Sequence, residues 1–157
     1  MDDLFQKTLD KVYQNRNSNG IGTLSEKTLH AFIKHFVEPN ESFHETKLNK
    51  HVVDIFDGSR IYEIQTRQFF KLIPKLNAFL DDYPLTIIYP IPYLKSISWI
   101  NLETGEISKA RKSPKVGQVI DAITELYSIK SYLKHPHLSI QLLFFNLHET
   151  RYIRSSR

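Results

Sequence analysis

Cysteine is absent from the 157 residues. That excludes a disulfide framework and any metal site built on thiolates. No apolar run is long enough to span a bilayer: the longest, near residues 85–91, falls far short of the roughly 20 residues a spanning helix needs. The acidic, amphipathic start MDDLFQKTLDKVYQ lacks the basic-then-apolar order of a secretory leader. A cytoplasmic protein without membrane association is therefore expected. Glycine is scarce, with five residues in all, and Gly20-x-Gly22 has neither the lysine nor the helix context of a phosphate-binding loop. Ser113 stands in KSPK, not in a nucleophile elbow. The seven histidines form no evident metal site: His135-Pro-His137 is a spaced pair without a third ligand, and His30 and His35 lie off a common helical face.

What is present describes an ordinary globular chain. Hydrophobic residues make up 41% and charged residues 24%, at a length that suits one domain over residues 1–157. The formal net charge of +4 is unevenly placed. Residues 1–92 carry 11 Lys/Arg and 12 Asp/Glu, whereas residues 93–157 carry 10 and 5. A basic C-terminal half is compatible with a polyanionic partner such as nucleic acid, and equally with a solvated surface.

Periodicity orders the elements. Leu4, Phe5, Leu9, Val12 and Tyr13 predict a helix over residues 2–15, followed by an exposed loop, NRNSNGIG. Thr23-x-x-Glu26 fits a capping box ahead of a second helix, whose face is Leu29, Phe32, Ile33 and Phe36. A strand over residues 42–49 and two more strands at 51–56 and 60–65 come next. Phe69, Leu72, Ile73, Leu76 and Leu80 then predict a helix that either begins just before Pro74 or is kinked there. The run LTIIY at 85–89, bounded by prolines, reads as a strand buried on both faces and parallel to 60–65. Beyond it we expect a hairpin around Thr104-Gly105, a basic loop KARKSPK, and a helix over 116–127 with Val119, Ile120, Ile123 and Leu126 inward. A strand at 138–147 and a mobile basic tail at 151–157 complete the chain. The class is α/β, with a core over about residues 24–92 and an extension over about 93–150.

The hairpin at 50–66, KHVVDIFDGSRIYEIQT, carries the chemistry. Asp57-Gly58 predicts a two-residue type I′ turn. That register sets Asp54 opposite Ile61 and diagonal to Glu63, and places Asp54, Glu63 and Gln65 on one face. The other face, Val53, Ile55, Tyr62 and Ile64, is apolar and expected against the core. Acids are depleted in strands because a buried carboxylate needs a partner or a metal. Two carboxylates and an amide suit a hard divalent cation, Mg2+ or Mn2+, which activates water and stabilises phosphodiester charge. The alternative is ion pairing with Lys47, Arg60 or Arg67.

An αβββαβ order, with an acid on one hairpin strand and an acid-x-Gln tripeptide on the next, resembles the PD-(D/E)XK nuclease superfamily. The stretch VVDIFDGSRIYEIQT, then a helix with PKL and a strand ending in YPIP, looks like a prokaryotic branch of it, over about residues 24–150. The resemblance implies a restriction-endonuclease-like core: a mixed central sheet flanked by helices, plus a C-terminal hairpin, helix and strand. It implies a Mg2+-dependent endonuclease acting on DNA, with Asp54, Glu63 and the Ile64 carbonyl as metal ligands and Glu26 as an additional acid. Gln65 stands where the family has a lysine; a neutral amide orients water but supplies no positive charge. Lys75 or Lys71, on the following helix, is positioned to replace it. Lys109, Arg111, Lys112 and Lys115 would contact phosphates, and two copies would cut two strands. The competing readings are a catalytically inactive member of this fold that binds nucleic acid or protein, and a structural subunit.

Overall fold

The computed structural model describes residues 2–14 and 26–153. Its elements form where the apolar spacing demands them. The helical rows of Leu4, Leu9 and Val12 and of Leu29, Phe32, Ile33 and Phe36 become α1 (Asp2–Gln14) and α2 (Glu26–Val37). The expected cap Thr23 and the loop at 15–22 lie outside the described residues. A 3-10 turn (Glu41–Phe43), opened by the Asn40 side chain accepting from the Ser42 N–H at 3.1 Å, leads into β1 (His44–Leu48). β2 (His51–Phe56) and β3 (Ile61–Ile64) follow. A second 3-10 turn (Phe69–Leu72) then runs into α3 (Ile73–Phe79), with Pro74 in its first turn. A proline is tolerated there because the first N–H groups of a helix have no intrahelical acceptor. Of the two arrangements open at Pro74, the helix starting just before it is the one formed. β4 (Leu85–Asn101), β5 (Arg111–Lys112), a 3-10 turn (Val119–Ala122), α4 (Ile123–Ser128) and β6 (Leu138–Ile153) complete the chain.

The six strands make one mixed sheet. β1, β2 and β3 are antiparallel neighbours; β4 runs parallel to β3, with Ile61 opposite Leu85 and Ile64 opposite Ile88. β6 lies parallel to β4 along its whole length, so β5, antiparallel to β4 at Ser96 and Ile97, continues the side that β3 occupies. The order α2-β1-β2-β3-α3-β4 is the expected αβββαβ, and the class is α/β. Both faces are covered. Ile87 packs with Ile61, Phe69, Leu76 and Phe79 on the α3 side, while its neighbour Ile88 packs with Ile33 and Ile64 on the α2 side. Consecutive residues buried on opposite faces are why this strand reads as an unbroken apolar run.

Three expectations need correction. First, β4 does not end at Tyr89 but runs through Pro90 and Pro92 to Asn101. The Ile88 carbonyl accepts from the Gln65 N–H, so even-numbered residues here turn their backbone groups towards β3. β3 stops at Ile64, and the donors that Pro90 and Pro92 lack would have faced the gap beyond it. Second, the helix predicted at 116–127 is two short pieces over 119–128, and three of its four expected inward residues face out: Val119, Ile120 and Ile123 are 58%, 60% and 53% exposed, while Leu126 packs against the α3-side core as expected. Helical periodicity identifies a face without saying what covers it. Third, residues 151–153 of the expected tail belong to β6, and residues 154–157 lie outside the described residues. The basic loop also contains structure, since Arg111 and Lys112 are β5, while the hairpin at Gly105 (φ +72°) closes through an Ile100–Ile107 bridge. No helix among the described residues is long and apolar enough to cross a membrane.

Candidate functional site

The turn between β2 and β3 is wider than Asp-Gly suggests. Only Gly58 has a positive φ there (+93°), so the type I′ turn, which needs two, is not made. Instead Asp57 Oδ1 accepts from the Ser59 N–H, the Ser59 hydroxyl and the Arg60 N–H, each at 2.8 Å. The carboxylate organises a four-residue loop, and Phe56 pairs with Ile61 instead of Ser59. The register is thus displaced by two residues from the expected one. An even slip preserves which way side chains point, so it alone would leave Asp54 and Glu63 on one face, now directly opposite.

A second irregularity intervenes at Asp54 itself. Ile55 pairs with Tyr62, which packs on the α2 side, yet Val53 belongs to the α3-side core. Regular alternation would keep Val53 and Ile55 together, so the strand reverses its facing between them. Across from Asp54, Glu45 of β1 takes a left-handed φ of +48°, between the regular pairs His44–Ile55 and Thr46–Val53. The expected division into one polar and one apolar face is therefore overturned. Asp54 reaches the α2 side and Glu63 the α3 side, and the two meet at the seam where β2 and β3 part.

Four side chains converge at that seam. Asp54 Oδ2 accepts from the Ile64 N–H at 2.8 Å, in place of a ladder carbonyl, and from His30 Nε2 of α2 at 3.1 Å. Glu63, 2% exposed, takes the Lys75 ammonium of α3 on both carboxylate oxygens, at 2.8 and 2.7 Å. Burial pushes the Glu63 carboxyl up to about 7; the Asp54 charge adds to this, and Lys75 and the Asp54 N–H oppose it. At Asp54 burial also acts upwards. It is outweighed by the His30 hydrogen bond and charge, then by the Ile64 N–H and Lys75, and the group lies below its ordinary value. The two neighbouring acids thus lose their protons in well-separated ranges, Asp54 below its ordinary range and Glu63 above its own.

The remaining expected residues fall in different places. Gln65 follows the last residue of β3, and its amide donates to the Arg67 carbonyl at 2.6 Å, which turns that nitrogen into the 65–67 loop. Ile64, the proposed carbonyl donor, is the residue whose N–H holds Asp54. The side chain of Glu26, at the start of α2, lies outside the described residues. Lys71 is exposed in the 3-10 turn before α3. Lys109, Arg111, Lys112 and Lys115 are all exposed, on β5 and the segments beside it. The spaced pair is committed within the fold: His137 Nδ1 contacts the Leu80 carbonyl at 2.8 Å, and His135 lies 3.6 Å from Asp81. His30 is the participant that sequence reasoning missed. Its available signal is its place beside Leu29 and three before Ile33, on the flank of the buried face of α2. Among the described residues, no three of His, Asp and Glu form a metal-holding group by themselves.

Residues 27–157 match a family model described as "Domain of unknown function (DUF8091)". A protein of Treponema pallidum (strain Nichols), described as "Uncharacterized protein", is 30% identical over 128 residues, which are 80% of this chain and 50% of that protein. The chain thus spans about half the length of this curated relative. No solved structure matches it. His30, Asp54, Glu63 and Lys75 all lie within the span matched by the family model, and the chain belongs to the DUF8091 family.

Proposed function

We propose that the chain is a Mg2+-dependent nuclease-like domain of the PD-(D/E)XK kind, acting on DNA phosphodiesters in the cytoplasm. The observation that carries this is the convergence of Asp54, Glu63 and Lys75 where two antiparallel strands part, in an αβββαβ frame. The donor set fits a hard divalent cation: two neighbouring carboxylates whose charges repel, both held by hydrogen bonds. With only two carboxylate side chains and one backbone carbonyl as protein ligands, water and substrate oxygens would complete the shell, as is usual for Mg2+. Asp54 would hold the ion through Oδ1, the oxygen that its two bonds leave over, and Glu63 and the Ile64 carbonyl would join it. When bound, Mg2+ or Mn2+ supplies Lewis-acid stabilisation of phosphodiester charge and lowers the pKa of water. Lys75 restores the positive charge that Gln65 does not provide, orienting the hydrolytic water from the next helix. His30 fixes Asp54 from the opposite side, with the Nε2 proton directed at the carboxylate.

The turned amide of Gln65 favours a second reading, a non-catalytic DNA-binding member of the same fold. Calorimetry with Mn2+ and a plasmid-nicking assay separate the two. The wild type is expected to bind Mn2+ and nick, Asp54→Ala to lose both, and Lys75→Ala to bind Mn2+ with nicking reduced at least about 100-fold. No Mn2+ binding, or binding unchanged in Asp54→Ala, would sink the metal site. Metal and salt-dependent DNA binding without nicking would establish the second reading.

A further inference from the structure

β6 has the composition of an interior strand and the position of an edge. Its first ten residues, LSIQLLFFNL, contain no charge, proline or glycine. None of them is buried, whereas Leu85, Ile87, Ile88 and Ile91 of the adjoining β4 are. Among the described residues β6 pairs only with β4. The Leu85 N–H donates to the His137 carbonyl and the Leu102 N–H to that of Ile153, so odd-numbered residues of β6 turn their backbone groups to β4. Even-numbered residues from 140 to 152 therefore turn theirs outward. The opposite edge shows how this chain blunts one: β1 has five residues, a left-handed Glu45 and an exposed Lys47. β6 has no such device over residues 138–147.

A groove of about 480 Å3 runs beside this edge between α1, α2 and β6, with Phe5, Leu9, Phe36, Leu143, Phe145 and Leu147 in its walls. Among the described residues, the face of the sheet next to this strand is thus also incompletely filled.

We propose that β6 pairs antiparallel with β6 of a second copy, across a two-fold axis near Phe144, so that two six-stranded sheets become one. A second copy is the occupant that the strand itself specifies. Hydrogen-bonded partners must both face outward, even to even, and a two-fold axis through Phe144 meets this at every step. It sets Leu142 against Asn146 and Ile140 against His148, with no like charges opposed. The nearest charged groups are already paired within each chain, Glu149 with Lys95 and Arg151. The partner's strand would continue the wall of the groove on the α2 side. About this axis the two strands overlap over residues 138–150, a length of about 43 Å that presents on the order of 400 Å2. The groove walls bring this towards the roughly 800 Å2 per partner of a stable interface.

Sedimentation equilibrium at micromolar concentration tests the pairing, with the full 18.5 kDa chain expected at twice its mass. Phe144→Lys sets two ammonium groups at the axis and should weaken dimerisation at least about 100-fold. Its circular dichroism should be unchanged, because Phe144 is already 43% exposed, while its melting should lose the concentration dependence that pairing gives the wild type. The cysteine-free chain also permits a single nitroxide on Gln141→Cys, where the paired strands should hold the two labels about 20 Å apart. A monomeric wild type, a dimer that survives Phe144→Lys with its fold intact, or labels far beyond that distance would each overturn the proposal.

Discussion

Glu63 is a carboxylate that the fold holds against its own ionisation, and this has a measurable consequence. Its carboxyl stands at about 7 in the folded chain against an ordinary 4.5, so folding takes up a proton between those values. The neutral acid is fully tolerated below about pH 4.5, and stability is lost as pH rises from there through 7. The gap corresponds to at most about 3 kcal/mol, reduced where Lys75 and solvent screen the charge. Urea denaturation of the metal-free wild type and Glu63→Gln at pH 5 and pH 8 isolates the effect, since the other groups are shared. The wild type should lose about 1–3 kcal/mol relative to the variant across that interval; a constant difference would mean that Glu63 does not titrate there. Asp54 and Glu63 were legible from sequence because acids in strands are uncommon and need an explanation. Lys75 was legible because its helix follows the second acid directly. His30 was not, since its contact with Asp54 depends on how α2 lies across the sheet, which no local pattern encodes.

At the scale of elements, the turn and its strand show why a correct element can carry an incorrect register. Asp57-Gly58 does make the turn, with Gly58 at positive φ. The Asp57 carboxylate then stabilises a longer loop than the dipeptide statistics favour, by meeting three donors at once. Asp57→Ala leaves the two N–H groups to water and should cost about 1–2 kcal/mol, lowering Tm by roughly 3–6 °C. Thermal unfolding followed by circular dichroism checks this; Asp57→Asn, which keeps an acceptor oxygen, should recover most of the loss. The reversal at Asp54 was illegible for a different reason. It involves Glu45, on another strand, in a conformation that glutamate rarely adopts. β4 teaches the same lesson, because two prolines end a strand only if their missing donors were needed. Pro90 and Pro92 face the gap left by β3, which only the assembled sheet reveals.

The whole molecule divides along β4. Its first half, between β3 and β6, builds the wall behind Asp54 and Glu63; its second half, between β5 and β6, carries the ribbon that displays Lys109, Arg111, Lys112 and Lys115. The sequence already separated a near-neutral half from a basic one, and a single 17-residue strand joins them. Under the proposed function these halves perform separable tasks, chemistry at the seam and phosphate contact on the ribbon. The separation is testable without cleavage. Fluorescence anisotropy of a labelled duplex in Ca2+, between about 50 and 200 mM salt, reads the number of phosphate contacts from the slope of log affinity against log salt. Replacing the four basic residues by alanine should flatten that slope by about 3.6 and weaken binding at least about 100-fold at low salt, while Mn2+ binding is retained. Asp54→Ala should do the reverse, losing metal and keeping the slope. An unchanged slope in the four-residue variant would move the DNA-binding surface away from β5. If both variants lost both properties, the two halves of β4 would have to be read as one site.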